Sequence, residues 1–313
     1  MLSDSGERSP FLRRLASAAS LIALVSASTV SAAPVGLEDP EVLKSEPYYL
    51  GLYETETARR GTVLTIHGGG WRGDLGPAAD EAMSDYIDAM RKLGYDVANL
   101  GYRSGADSLP DAIAAFDLLR ERLGPEEPIC IFGGSAGAQL ALIVAARRGD
   151  SVDCVVDLAG PPDLVHWGSR PNADDGKGLA VDAFGEDRLA ELSPINNVED
   201  ISAPVLVIAA ACDVFIEVAD QRRFVRALNA AGGDARLQVV EPGDDVDLVH
   251  CAVSAASFEE MSLATTRFLA EAMPAPAVVE RDEDDGSGLG VPEVLVGVVV
   301  LAGVALLVWV VRR

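Results

Sequence analysis

The stretch PICIFGGSAGAQLALIVAARR, residues 128–148, sets one serine among three glycines, between an apolar run and a helix-like run. Glycine inside a strand or helix costs roughly 0.5–1 kcal/mol relative to alanine, so Gly133, Gly134 and Gly137 indicate a backbone requirement. The pattern G-x-S-x-G between strand and helix predicts a tight turn that exposes the hydroxyl of Ser135 above a sheet, as a nucleophile. The alternative is a glycine-rich turn whose serine merely caps the helix.

A second glycine run, HGGGW at residues 67–71, follows another strand-like stretch. Glycines allow backbone N–H groups to approach a carbonyl oxygen without obstruction by side chains. The amides of Gly69 and Gly70, together with that of Ala136 at the start of the helix, are therefore predicted to form an oxyanion hole. His67 is expected to organise this loop rather than to act as a base.

Strand-like and helix-like stretches alternate along the central part of the chain. Because the strand-like runs are continuously apolar, they predict an α/β fold with a mostly parallel central sheet and helices on both faces. In such sheets the active site lies at the carboxyl ends of the strands. The predicted strands are 62–69, 96–103, 128–134, 152–160, 203–211 and 235–241, and the predicted helices 110–123, 135–148, 217–231 and 254–273.

The stretches IHGGGW, GGSAGAQLA and SPINN followed by APVLVIAAACDVF resemble the α/β-hydrolase fold. Within it they are similar to the HGGG-bearing carboxylesterases of the hormone-sensitive-lipase and feruloyl/acetyl-esterase type, over roughly residues 55–272. The resemblance implies a serine hydrolase that forms an acyl-enzyme. The family usually has glycine where this chain has Ala138, and often aspartate or histidine where it has Gly134. Both residues are small, so the turn is expected to form.

A serine nucleophile needs a base and an acid, which follow it in the chain order Ser, acid, His. Of the three histidines, only His250 follows the last predicted strand, so it is the predicted base. Asp213 directly follows the strand at 203–211 and is the predicted acid. Asp163 is a second candidate acid, after the strand at 152–160.

The four cysteines fall into two pairs. Cys212 and Cys251 are each adjacent to a predicted triad member, so they are expected to come close and to form a disulfide, with two free thiols as the alternative. Cys130 and Cys154 lie in apolar strands and are expected to be buried free thiols.

The connection 160–197 is too long for a simple strand-to-helix link, and it predicts a small cap over the site. His166 and Trp167 within it, and Trp71 in the glycine loop, are candidate substrate-binding residues, although simple packing explains them equally well. With no long apolar lid, esters of short or medium acyl chains are the expected substrates.

Both ends of the chain carry apolar runs. Residues 1–32 predict a signal peptide, with two arginines before an apolar stretch and small residues before the cleavage point. The hydrolase domain is predicted at 33–274, an acidic Pro/Gly linker at 275–293, and a transmembrane helix at 294–311 with a cytoplasmic basic end at 312–313. A processed C-terminal sorting signal is the alternative for this tail.

The composition narrows the function further. A net charge of −24 disfavours nucleic-acid binding, which needs a basic face. The sequence shows no metal-ligand spacing, and the expected reaction needs no cofactor. We therefore expect an exported, membrane-tethered serine esterase acting on a small-molecule ester, of unassigned oligomeric state. The alternatives are a serine peptidase of the prolyl-oligopeptidase type, an acyltransferase, and a binding module on an inactive hydrolase scaffold.

Overall fold

Eight strands form one sheet in the computed structural model, which describes residues 39–55, 57–167, 176–241 and 255–274. The spatial order is β1-β2-β4-β3-β5-β6-β7-β8, and all neighbours from β4 to β8 run parallel, while β1–β2 and β2–β4 are antiparallel. The strands are β1 Glu41–Lys44, β2 Tyr49–Tyr53, β3 Gly61–Ile66, β4 Tyr95–Gly101, β5 Ile129–Gly134, β6 Cys154–Leu158, β7 Val205–Ala210 and β8 Ala235–Val240.

Helices cover both faces of this sheet, as predicted. One apolar core lies under α2, α3 and α5, and the other under α1 and α6. The helices are α1 Pro77–Lys92, α2 Ser108–Leu123, α3 Ala136–Arg148, α4 Gly176–Phe184, α5 Val218–Ala230 and α6 Ala255–Ala272. The six predicted strands and four predicted helices are confirmed, whereas β1, β2, α1 and α4 were not predicted.

Helix α3 is the central helix of the fold. Every residue from Ala136 to Ala145 is buried, because the helix packs against β5 and β6 on one side and against α2 on another. A helix that is apolar on all sides belongs in such an interior. Its first residue directly follows Ser135, so this buried helix fixes the position of the predicted nucleophile.

The expectation that Cys130 and Cys154 are free thiols is wrong, because they form a disulfide. The two residues pair directly across β5 and β6, with Cα atoms 4.5 Å apart. Facing positions on adjacent strands bring two side chains on the same side of the sheet within bonding reach. Cys212 is also disulfide-bonded, and Cys251, its predicted partner, lies outside the described residues.

The predicted cap and the two chain ends are only partly described. Within 160–197 lie α4 and short 3₁₀ turns, while residues 168–175 fall outside the description. The predicted signal peptide, linker and transmembrane helix lie outside it as well. None of the helices in the described ranges is long and apolar enough to cross a membrane.

Candidate active site

Ser135 occupies a strained turn between β5 and α3. Its φ of 51° and ψ of −118° lie in a region that residues with a side chain rarely adopt. Its N–H donates to the carbonyl of Leu158 at the end of β6, at 2.8 Å, and its own carbonyl accepts from the amides of Ala138 and Gln139. These bonds anchor the backbone of Ser135 on both sides, as a strand-to-helix turn that presents a serine requires.

Two of the three glycines around Ser135 are needed because backbones nearly touch there. A Cβ on Gly137 would overlap the carbonyl oxygens of Ile66 and His67, and a Cβ on Gly133 would overlap the backbone of Gly137. At Gly134, by contrast, a Cβ would meet nothing within 4 Å. The turn therefore requires glycine at 133 and 137, whereas the structure leaves room for a side chain at 134.

The glycine loop that follows β3 passes directly beside Ser135. A Cβ on Gly68 would lie 3.1 Å from the Cβ of Ser135 and 2.9 Å from the carbonyl of Gly134. Gly69 and Gly70 adopt φ values of 102° and 62°, a conformation that favours glycine. The structure thus brings the loop with two of the predicted oxyanion donors next to the turn that carries the predicted nucleophile.

Two side chains hold the carbonyl of Gly68. The hydroxyl of Tyr102 lies between the carbonyls of His67 and Gly68, at 3.0 and 3.1 Å, and shares its proton between them, while Nδ1 of His67 lies 2.7 Å from the Gly68 carbonyl. Since a carbonyl only accepts, Nδ1 of His67 carries a proton. In a planar trans peptide the carbonyl of one residue and the amide of the next point in opposite directions. Fixing the Gly68 carbonyl therefore fixes the direction of the Gly69 amide.

His67 itself is buried and stacks on the ring of Tyr102, with ring centroids 4.2 Å apart. Burial lowers its pKa, and the hydrogen bond to Gly68 opposes that shift. Its Nε2 has no hydrogen-bond partner among the described residues. A neutral histidine whose Nδ1–H donates to the loop carbonyl suits the predicted organising role and not that of a base.

Asp213 lies in the turn after β7, where the acid was predicted. It is 5% exposed, and its Oδ1 accepts from the amides of Phe215 and Ile216 at 2.9 and 2.8 Å. Two backbone donors fix the orientation of this carboxylate. His250, the predicted base, lies outside the described residues, so the pairing of Asp213 with His250 stays a prediction.

The two predicted pocket tryptophans lie mainly in the interior. Trp71 is 1% exposed and donates from Nε1 to Oε1 of Gln139 at 2.9 Å. Trp167 packs edge-on against it at 6.0 Å and donates from Nε1 to the carbonyl of Phe215 at 2.8 Å. For Trp71 this favours the packing interpretation, whereas Trp167 links the 160–167 segment to the loop that carries Asp213.

His166 contacts Asp163, a pairing that the sequence did not indicate. Its side chain is 69% exposed, and Nδ1 lies 2.9 Å from Oδ2 of Asp163. The guanidinium of Arg223 contacts the same oxygen, also at 2.9 Å. Asp163, the second candidate acid, is therefore engaged by His166 and Arg223.

Sequence reasoning also missed a buried carboxyl next to the turn. Asp157 on β6 is 0% exposed, and burial raises its pKa to about 7, against the smaller opposite effect of the Gly160 amide. That amide donates to Oδ1 at 2.7 Å. One acidic residue within the apolar run CVVDLAG, residues 154–160, was the signal that could have identified it.

Comparison with protein families gives a match to the BD-FAE model over residues 50–228. Among curated proteins, dipeptidyl aminopeptidase BIII of Pseudoxanthomonas mexicana is 24% identical over 198 residues, which is 54% of this chain and 27% of that protein. The chain thus spans about a quarter of the length of this relative.

Solved structures of esterases share the fold. A thermophilic esterase of the Planctomycetes species Thermogutta terrifontis superposes with a TM-score of 0.60 at 19% identity, over 79% of this chain and 96% of its own. The same esterase phosphonylated by sarin gives a TM-score of 0.60 at 19% identity, over 78% and 97%. A truncated carbohydrate esterase from gut microbiota gives 0.58 at 20%, over 74% and 93%.

Proposed function

The chain belongs to the BD-FAE family of α/β-hydrolase esterases. We propose that it is a serine hydrolase of the carboxylesterase type, and that it cleaves carboxylic esters of short or medium acyl chains. Ser135 is the proposed nucleophile, His250 the base and Asp213 the acid. The single observation that carries this proposal is the strained backbone of Ser135, held beside the glycine loop. A serine that merely capped a helix would need neither the strain nor the loop.

The reaction begins when His250 takes the proton of the Ser135 hydroxyl as its Oγ attacks the carbonyl carbon of the ester. The negative charge that develops on the carbonyl oxygen is met by the amides of Gly69, Gly70 and Ala136. The alcohol then leaves with the proton from His250, and the acyl group stays on Ser135. Water repeats the sequence through His250 and releases the carboxylic acid.

Asp213 keeps His250 in the tautomer that accepts the serine proton, and it stabilises the imidazolium that forms. The two backbone amides on Oδ1 hold the carboxylate in one orientation throughout. The Gly69 amide is likewise fixed in advance, through the Gly68 carbonyl that Tyr102 and His67 hold. Donors that need no reorganisation lower the barrier more than donors that must turn to the charge.

A fluorophosphonate probe, which loses fluoride to an activated serine, tests the proposal on the full chain in detergent. We expect labelling of the wild type and none of Ser135→Ala, with His250→Ala lowering kcat on p-nitrophenyl esters by about 10⁴-fold or more. His166→Ala is the matched control and is expected to stay active. If His166→Ala were inactive and His250→Ala active, the base would instead be the histidine paired with Asp163.

A serine peptidase is the second candidate, because the curated relative is a dipeptidyl aminopeptidase. The same nucleophile, base and oxyanion donors serve amide and ester cleavage. Dipeptidyl p-nitroanilides and p-nitrophenyl esters, offered to the same preparation, separate the two candidates. A higher kcat/KM for the anilides would replace the esterase proposal.

We also propose that the domain acts outside the cytoplasm, tethered by the apolar segment 294–311. The Cys130–Cys154 disulfide supports this location, because disulfides persist in oxidising compartments and are rare in the cytosol. Membrane fractionation, with protease added to intact and to opened cells, tests it. Cleavage only after the cells are opened would place the domain inside and refute the proposal.

A further inference from the structure

A small buried polar cluster lies behind the turn that carries Ser135. It consists of Asp157 on β6, Gly160 two residues beyond that strand, and Gln221 on α5. The amide of Gly160 donates to Oδ1 of Asp157, and Nε2 of Gln221 donates to the carbonyl of Gly160, both at 2.7 Å. Both side chains are fully buried.

Each of these side chains has one oxygen left over. Oδ2 of Asp157 and Oε1 of Gln221 have no hydrogen-bond partner among the described residues. An ionised carboxylate and an amide oxygen only accept, so they cannot satisfy one another. Two buried acceptors without a donor are costly, and one added proton on Asp157 turns its Oδ2 into a donor for Gln221 Oε1.

We infer that Asp157 is a protonated carboxylic acid whose Oδ2–H donates to Gln221 Oε1, directly or through one buried water, and that this neutral pair positions the backbone holding Ser135. The role at Ser135 rests on the proposed function, whereas the proton on Asp157 does not. The raised pKa of Asp157 agrees with this state, and its largest cause is burial.

Among the described residues, none that contacts Asp157 carries a charge that would keep it ionised. Its neighbours in register are Gly133 on β5 and Val207 on β7, and Gly160 packs against Ala138 and the Gln139 amide of α3. None of these residues titrates.

On α5, the charged residues flanking Gln221 are engaged with one another or elsewhere. Asp220 lies 3.7 Å from the guanidinium of Arg223, which also contacts Asp163. Arg222, the remaining neighbour, is exposed. These described groups leave Asp157 facing only uncharged neighbours, and burial without a cationic partner favours the protonated form of a carboxyl group.

The cluster reaches the nucleophile through the residues between Asp157 and Gly160. The Leu158 carbonyl accepts the amide of Ser135, and the Ala159 amide donates to the carbonyl of Ile208 on β7. Ala159 has a positive φ of 51°, so this short turn is itself strained and needs fixed ends. Asp157 and Gln221 supply those ends and thereby position the Leu158 carbonyl.

Substitutions at Asp157 test both parts on the full chain. Asp157→Asn keeps an acceptor for Gly160 and adds a permanent N–H donor for Gln221, so we expect kcat on p-nitrophenyl acetate to stay within about 3-fold of the wild type. Asp157→Ala removes both bonds, and we expect kcat to fall about 10- to 100-fold with KM little changed. Asp150→Asn, at an exposed site, controls for the loss of one negative charge.

The proton itself is read by ¹³C NMR of protein labelled at the aspartate carboxyls. One carboxyl signal is expected to remain in the protonated range at about pH 5.5, well above the ordinary range for Asp, and to be absent in Asp157→Asn. Ordinary titration of every signal would overturn the inferred proton, even if Asp157→Ala failed to fold. If Asp157→Asn lost as much kcat as Asp157→Ala, or Asp157→Ala lost none, the positioning role would be wrong.

Failure of the proposed function gives a different result. The wild type would then not react with the fluorophosphonate, while the NMR signal would still decide the protonation of Asp157. One set of variants therefore tests the proposed function at Ser135 and the proton on Asp157 separately.

Discussion

Removing the disulfide between β5 and β6 should have a large and calculable effect on stability. The bond joins Cys130 and Cys154, which are 24 residues apart in the chain. In the chain-entropy model, a cross-link that closes a loop of about 25 residues destabilises the unfolded state by about 3.5 kcal/mol. Substituting both residues with alanine returns that entropy to the unfolded chain.

Packing adds to this entropic term. Both cysteines are fully buried in the core that lies under α1 and α6, where they neighbour Phe132 and Val156. Each lost sulfur leaves a space comparable to that of a deleted methyl group, which costs about 1 kcal/mol. We therefore expect Cys130→Ala/Cys154→Ala to lose about 5 kcal/mol and about 10 to 15 °C in Tm.

Urea unfolding of the single and double variants measures this loss. Because either substitution alone opens the loop, the entropic cost is expected once and not twice, so each single variant should lose most of what the double variant loses. Variants are preferable to a reductant here, because Cys212 also takes part in a disulfide that a reductant would open. A double variant within about 1 kcal/mol of the wild type would refute the chain-entropy reasoning.

Three further perturbations test the turn, the glycine loop and the buried carboxyl. Burial raises the pKa of Asp157 to about 7 in the folded chain, from an ordinary 3.8. Its contribution to the free energy of unfolding is therefore fully present below about pH 4 and is lost as pH rises through about 7. Urea unfolding should show this free energy fall by about 4 kcal/mol over the window, a fall that is absent in Asp157→Asn. Tyr102→Phe keeps the ring stacked on the loop histidine but removes the hydroxyl donor to the carbonyls of His67 and Gly68. We expect kcat to fall about 10-fold with the fold intact by circular dichroism. Unchanged kcat would mean that this donor does not orient the loop. Gly137→Ala should abolish esterase activity or folding, because its Cβ would overlap backbone oxygens, while Gly134→Ala should stay active. Equal activity of the two variants would contradict the close approach of the Gly137 backbone to the glycine loop.

The sequence predicted those parts of the fold whose cause is local. The strand, turn and helix around Ser135 are consecutive in the chain, and the glycines at 133 and 137 stand where the structure has no room for a side chain. Helix α1 shows how a local signal can be overlooked: its buried residues Ala79, Met83, Ile87 and Met90 recur every three or four positions. Such spacing, with charged residues between the apolar ones, predicts an amphipathic helix with one face on the core.

Strand β1 is a different case, because its four residues are exposed or only partly buried. It lies at the edge of the sheet, where one face of a strand and one row of backbone groups meet solvent. Its sequence EVLK therefore lacks the continuous apolar character that predicts the inner strands. Its place in the sheet depends on antiparallel pairing with β2, which no short stretch of sequence encodes.

The Cys130–Cys154 disulfide and the Asp157 cluster were missed for one shared reason, which is strand register. Apolar runs predicted β5 and β6 as strands, but a shift of one residue between them would put facing side chains on opposite sides of the sheet. The observed register sets Cys130 against Cys154 and Gly133 against Asp157. One alignment of two strands thus closes the disulfide near their amino ends and sets Asp157 beside the turn at their carboxyl ends. Because register depends on the packing of all neighbouring strands and helices, the chemistry it creates at Asp157 and Gln221 emerges only in the folded chain.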